Sequence, residues 1–86
     1  MIVHLPAALD DYTDGQRRQE VSGVTLGAGL RALNRRMPGI AFRILDERDC
    51  IREHIRVWVD GQEQTDLSVK VSPEAEVHVM LALSGG

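Results

Sequence analysis

What the sequence lacks narrows its reading first. Cys50 is the only cysteine among 86 residues, so no internal disulfide can form, no paired-cysteine metal site can be built, and stability has to come from packing. His4, His54 and His78 are dispersed, without the close spacing that marks a metal-binding pair, so no metal is expected. No apolar stretch approaches the roughly 18 residues that a membrane span needs, and no charged segment followed by an apolar signal core opens the chain. A cytoplasmic location without a membrane partner is therefore expected. The formal net charge is only -3, with basic and acidic residues interspersed. That leaves no phosphate-tracking surface and argues against a nucleic-acid partner. A chain of this length has apolar content for one modest core and none for a second.

What is present reads as strands at both ends and a helix between them. Met1 to Leu5 is short and apolar apart from His4, and Pro6 stops it, which suits a first strand. A loop through Asp10, Asp11, Asp14 and Gly15 leads to Gln16–Val21, polar enough for a partly exposed edge strand that ends at the turn-forming Ser22-Gly23. Thr25 is placed to cap a helix in which Leu26, Leu30, Leu33 and Met37 share one face, and Met37-Pro38-Gly39 ends it. Gly27 and Gly29 each cost that helix roughly 1 kcal/mol relative to alanine, so the helix starts late or the backbone is closely approached there. Residues 40–54 read as a connection, with Asp46-Glu47-Arg48-Asp49 as a surface loop. Ile55, Val57 and Val59 alternate with Arg56 and Trp58 in a strand that ends at the turn signal Asp60-Gly61. After an irregular segment and the loop Ser72-Pro73-Glu74, Val77, Val79, Leu81 and Leu83 mark a last strand. The expected class is α+β, a mixed sheet with one main helix packed on one face.

That last strand runs directly into Ser84-Gly85-Gly86. Two glycines in succession form a thin strip of backbone that can enter a channel too narrow for side chains, and its useful atom is the Gly86 carboxylate. A carboxylate is a poor acylating group until activated, and nothing in this chain activates it, so an external ATP-dependent enzyme is expected. The division is then a folded domain over residues 1–83 and a flexible tail over residues 84–86.

On these residues the sequence resembles the ubiquitin-like β-grasp sulfur carriers, the MoaD, ThiS and CysO group. Val57-Trp58-Val59-Asp60-Gly61-Gln62 is similar to the group's strand and turn "V-x-V-N-G-x", and Glu76 to Gly86 aligns without gaps to its ending "E-V-x-x-x-P-P-V-x-G-G". Leu81-Ala82 stands where many relatives carry Pro-Pro, removing the stiffening that proline gives. The resemblance implies a carrier that binds no cofactor of its own. A ubiquitin-activating-type enzyme would use ATP to adenylate Gly86, and a sulfur donor would then leave a thiocarboxylate for a downstream sulfur-accepting synthase. It also implies insertion of Ser84 and Gly85 with Gly86 into the activating site. Met80, where relatives often carry an aromatic residue, is implied as a partner contact together with Leu81, and methionine can still make an adaptable apolar contact there. Trp58, opposite Ile55, Val57 and Val59 by alternation, would join that patch if its strand neighbours the last one; otherwise residues 40–54 fold over it.

The remaining residues point to no catalysis. Cys50 with His54 four positions on is a conceivable nucleophile and base, but no third orienting residue stands at readable spacing. Arg31, Arg35 and Arg36 suit an exposed helix face near a negative dipole end. Beside the carrier, the sequence allows a protein modifier joined to lysines through Gly86, or an interaction domain with an idle tail. An independent enzyme comes last, since no convergent set of titratable residues can be read.

Overall fold

A computed structural model of the chain describes residues 1–82. Its strands are β1 (Ile2–His4), β2 (Arg18–Glu20), β3 (Ile55–Val59), β4 (Gln62–Glu63) and β5 (Glu76–Leu81). The helices are α1 (Asp10–Thr13), α2 (Leu26–Arg36) and α3 (Ile40–Ile44). The strands form one sheet in the order β2-β1-β5-β3-β4. β1 pairs antiparallel with β2 and parallel with β5, while β3 pairs antiparallel with β5 and β4. The strand that leads to the C-terminus is thus the central one, and the sheet is mixed, as the α+β reading expects.

The main helix forms where capping and spacing place it. Thr25 Oγ1 accepts the Ala28 N–H at 3.1 Å, satisfying one of the donors a helix start leaves open. Further donors go to an extended strap: the Leu26 N–H donates to the Val69 carbonyl at 3.0 Å and the Gly27 N–H to that of Leu67 at 2.8 Å. Leu26, Leu30 and Leu33 are fully buried against Val3, Ile55, Val57 and Val77 from the sheet. Burying one such side chain stabilises the fold by about 1.5–3 kcal/mol. The helix does not start late. It keeps Gly29 because a Cβ there would overlap the Met1 side chain, and Gly23 passes so near that its Cβ would lie 2.6 Å from the Gly29 nitrogen.

Three segments differ from the sequence expectation. The loop expected after Pro6 and through Gly15 contains a 3-10 turn, Ala7–Leu9, followed by α1; buried Leu9 and Thr13 hold this stretch against the core. The connection expected after Gly39 begins with α3, whose Ile40 and Ile44 are fully buried. Its start is capped from another element, since Asn34 Oδ1 accepts the N–H groups of Gly39 at 3.0 Å and Ala41 at 3.1 Å. The segment after Gly61 opens with β4, a two-residue strand too short to leave a periodic signal. The Asp60-Gly61 turn joining it to β3 has both residues at positive φ, 50° and 85°, the backbone that tight hairpins of this sequence adopt.

Candidate functional site

The two faces of the sheet carry different chemistry. Strand alternation sends Val3, Ile55, Val57, Val77 and Val79 to the helix side, where all are buried. The same alternation places His4, Arg56, Trp58, Glu76, His78 and Met80 on the open side. Pairing sets them in rows: Arg18, His4, His78, Trp58 and Glu63 stand side by side across the sheet, and Arg56 stands opposite Met80 in the next row. Trp58 and Met80 are therefore diagonal neighbours on one face of adjacent strands. Trp58 is half-buried there. Residues 40–54 send Ile40, Ile44 and Leu45 into the helix-side core, not over this face.

The middle of the open face is made of two imidazoles. His4 and His78 stack with ring centroids 4.4 Å apart and planes 11° from parallel. His4 Nε2 lies 2.9 Å from Glu76 Oε1. The flanks are charged pairs, Arg56 with Glu63 at 3.4 Å and Arg18 with Glu20 at 3.6 Å. The stack went unseen in the sequence, although a parallel pairing of first and last strands would have aligned His4 with His78.

Met80 is 48% exposed and Leu81 43%, an apolar step at the root of the tail. They point to opposite sides. Leu81 shares the parity of Val77 and Val79 and rims a shallow groove with Leu9, Tyr12, Arg43 and Ile55. The Ala82 N–H, the last described donor, bonds the His54 carbonyl at 2.8 Å. Ser84, Gly85 and Gly86, expected to enter a partner's active site, lie with Leu83 outside the described residues.

The other residues singled out in the sequence serve local structure. The Cys50 thiol is exposed and faces the Arg48 carbonyl at 3.8 Å, and among the described residues no hydrogen bond joins it to His54. Asp46 Oδ1 accepts the Cys50 and Arg48 N–H groups at 3.0 and 2.8 Å; these bonds hold its carboxyl below the ordinary carboxylate range. Arg36 is more than a dipole partner, because its guanidinium donates to Gln19 Oε1 at 3.2 Å and the Glu20 carbonyl at 2.8 Å, tying α2 to the edge strand. Among the described residues no three His, Cys, Asp or Glu side chains converge as a metal site, and no helix is long and apolar enough to cross a membrane.

No family model and no curated protein matches the chain. Solved structures do, over nearly its full length. A chain of the Amycolatopsis orientalis BexX/CysO complex superposes with a TM-score of 0.89 at 24% identity, covering 99% of this chain and 98% of that one. The chain has the ubiquitin-like β-grasp fold. This β-grasp domain also matches Mycobacterium tuberculosis CysO, with a TM-score of 0.88, 24% identity and coverage of 95% and 98%. SAMP1 from Haloferax volcanii matches with a TM-score of 0.77, 28% identity and coverage of 100% and 98%. In all of them the β-grasp domain is nearly the whole chain, as it is here.

Proposed function

We propose that the chain is a sulfur carrier. The observation that carries this reading is the full-length likeness to CysO joined to a Ser84-Gly85-Gly86 ending that follows the central strand by two residues of sequence. An ubiquitin-activating-type enzyme binds the open face through Trp58 and Met80, with Leu81 at the groove rim, and draws the tail into its ATP site. The Gly86 carboxylate attacks the α-phosphate of ATP, releasing pyrophosphate and leaving an acyl-adenylate. Sulfide then displaces AMP, or a persulfide displaces it to form an acyl disulfide that a thiol reduces, and either route leaves a thiocarboxylate on Gly86, whose sulfur passes to a downstream synthase in the cytoplasm. The chain contributes recognition and positioning, and its partner supplies the nucleotide and the catalytic groups. The test is ATP–pyrophosphate exchange with the host's adenylating enzyme: exchange that depends on the chain and disappears when Gly86 is deleted supports the reading, and exchange unaffected by the deletion contradicts it.

The likeness to SAMP1 from Haloferax volcanii, at 28% identity against 24% for CysO, favours a second reading. A protein amine replaces sulfide as the nucleophile on the same adenylate, and the chain becomes a modifier linked to lysine through Gly86. Amide conjugates of higher mass in host extracts distinguish it from a carrier that accumulates only as thiocarboxylate.

A further inference from the structure

The strand order leaves β2 and β4 as the two edges of the sheet, and an unpaired edge offers its backbone donors and acceptors to another chain. β4 is blunted by its length of only two residues. β2 is longer, and its register fixes which of its groups look outward. The Leu5 N–H donates to the Arg17 carbonyl at 2.7 Å and the Val21 N–H to the Met1 carbonyl at 3.0 Å, while Val3 stands opposite Gln19. Residues 17, 19 and 21 therefore bond β1, and the N–H and C=O groups of Arg18 and Glu20 point to the free edge.

Among the described residues one hydrogen bond reaches these outward groups. The Arg36 guanidinium donates to the Glu20 carbonyl at 2.8 Å, and the same nitrogen donates to Gln19 Oε1 at 3.2 Å. Gln19 is buried and its side chain is itself fixed, because Nε2 donates to the Gln16 carbonyl at 3.0 Å. Arg36 is the last residue of α2 and is exposed. The helix end thus lays a positioned cation across an edge carbonyl.

The side chains along this edge are complementary to themselves. Arg18 and Glu20 are exposed on the open face, and their contact within the chain is long, at 3.6 Å. Antiparallel pairing with a second copy about a two-fold axis at Gln19 sets Arg18 opposite Glu20 of the other copy on both sides of the axis. The same register matches outward donors to outward acceptors: the Arg18 N–H meets the other copy's Glu20 carbonyl, and the Glu20 N–H its Arg18 carbonyl, each twice by symmetry. An axis at Arg18 or at Glu20 sets like charges directly opposite, which is destabilising. An axis between residues brings outward groups against residues already bonded to β1.

We propose that the β2 edge is a pairing surface for β2 of a second copy in the register centred on Gln19, and that Arg36 gates it by occupying the Glu20 carbonyl. Arginine keeps its charge at physiological pH, so the gate opens by displacement of the guanidinium and not by its titration. β1 and β5 lie between this edge and the strand of Trp58, so pairing leaves Trp58 uncovered.

Sedimentation of the full chain beside Arg36→Met, which keeps an apolar stem and removes the donors, tests the gate. The wild type is expected to be monomeric at concentrations where the variant is dimeric, with association about tenfold tighter in the variant. In that dimer the Arg18 and Glu20 amides should exchange about tenfold more slowly than in the monomer. Adding Arg18→Glu to Arg36→Met should return the monomer, and adding Glu20→Arg to that pair should restore the dimer. Arg36→Ala, which places a strong helix former at the same position, takes the place of Arg36→Met if the latter loses its cooperative urea melt. A wild type as dimeric as the variant, a folded variant that stays monomeric, a dimer with unslowed Arg18 and Glu20 amides, or a dimer indifferent to Arg18→Glu overturns the proposal.

Discussion

The helix-side and open faces of the sheet come from the same three central strands and differ in almost every respect. On one side, Val3, Val57 and Val77 meet Leu26, Leu30 and Leu33, all with no exposed surface. On the other, stacked imidazoles, a half-buried tryptophan, an exposed methionine and surface ion pairs stand in register. A face that only had to be solvated would not need Trp58 and Met80 as neighbours beside the root of the tail. Under the proposed carrier reading the first face provides stability and the second recognition, and substitutions can pull the two apart.

The largest effect should come from the buried side. Leu30→Ala leaves a cavity beneath the sheet and is expected to lower unfolding free energy by about 2–5 kcal/mol, read from urea melts, with loss of every partner interaction as a consequence. Gly23→Ala follows, because its Cβ would press on the Gly29 backbone at 2.6 Å; about 1–3 kcal/mol is expected from such overpacking. Thr25→Ala, which removes the α2 cap, should cost about 1 kcal/mol in the same melts. Met80→Ala should behave in the opposite sense. Its stability should change by no more than about 0.5 kcal/mol, as at other exposed positions, while affinity for the adenylating enzyme falls about tenfold, or about 1.4 kcal/mol. An affinity unchanged by Met80→Ala in the folded protein would remove the open face from the account.

The smallest effect concerns acid. Hydrogen bonds hold the carboxyls of Asp10, Asp46 and Asp66 below their ordinary value of 3.8, through Arg17, through the Cys50 and Arg48 N–H groups, and through Ser68 respectively. The unfolded chain therefore binds more protons than the folded one in this range, and stability rises with pH there. Their contribution is present in full above the ordinary carboxylate value and is lost as pH falls through the lowered ones. Asp66 is exposed and Asp10 and Asp46 are only half-buried, so the acid limb of a pH series of urea melts should be shallow, and Asp46→Asn should flatten it further.

The sequence made the helix-side face readable because burial imposes period: Leu26, Leu30 and Leu33 at helical spacing, and Val57 and Val77 within alternating strands, had one consistent placement. The open face was readable only in part. Trp58 and Met80 could be put on it by alternation, but their adjacency depended on a strand pairing that no local signal encodes. The His4–His78 stack required the parallel β1–β5 register for the same reason. α3 was hidden because its cap, Asn34, belongs to another helix, and β4 because two residues carry no period. The strap over α2 likewise owes its shape to hydrogen bonds with the helix start, between Leu26 and Val69 and between Gly27 and Leu67, residues far apart in sequence.

The most direct test of the carrier account is the intact mass of the chain after incubation with ATP, its host's adenylating enzyme and sulfide, beside a Gly86-deleted control. The account predicts a gain equal to replacement of one oxygen by sulfur, absent from the control. An unchanged mass with an enzyme that demonstrably adenylates the chain would contradict it.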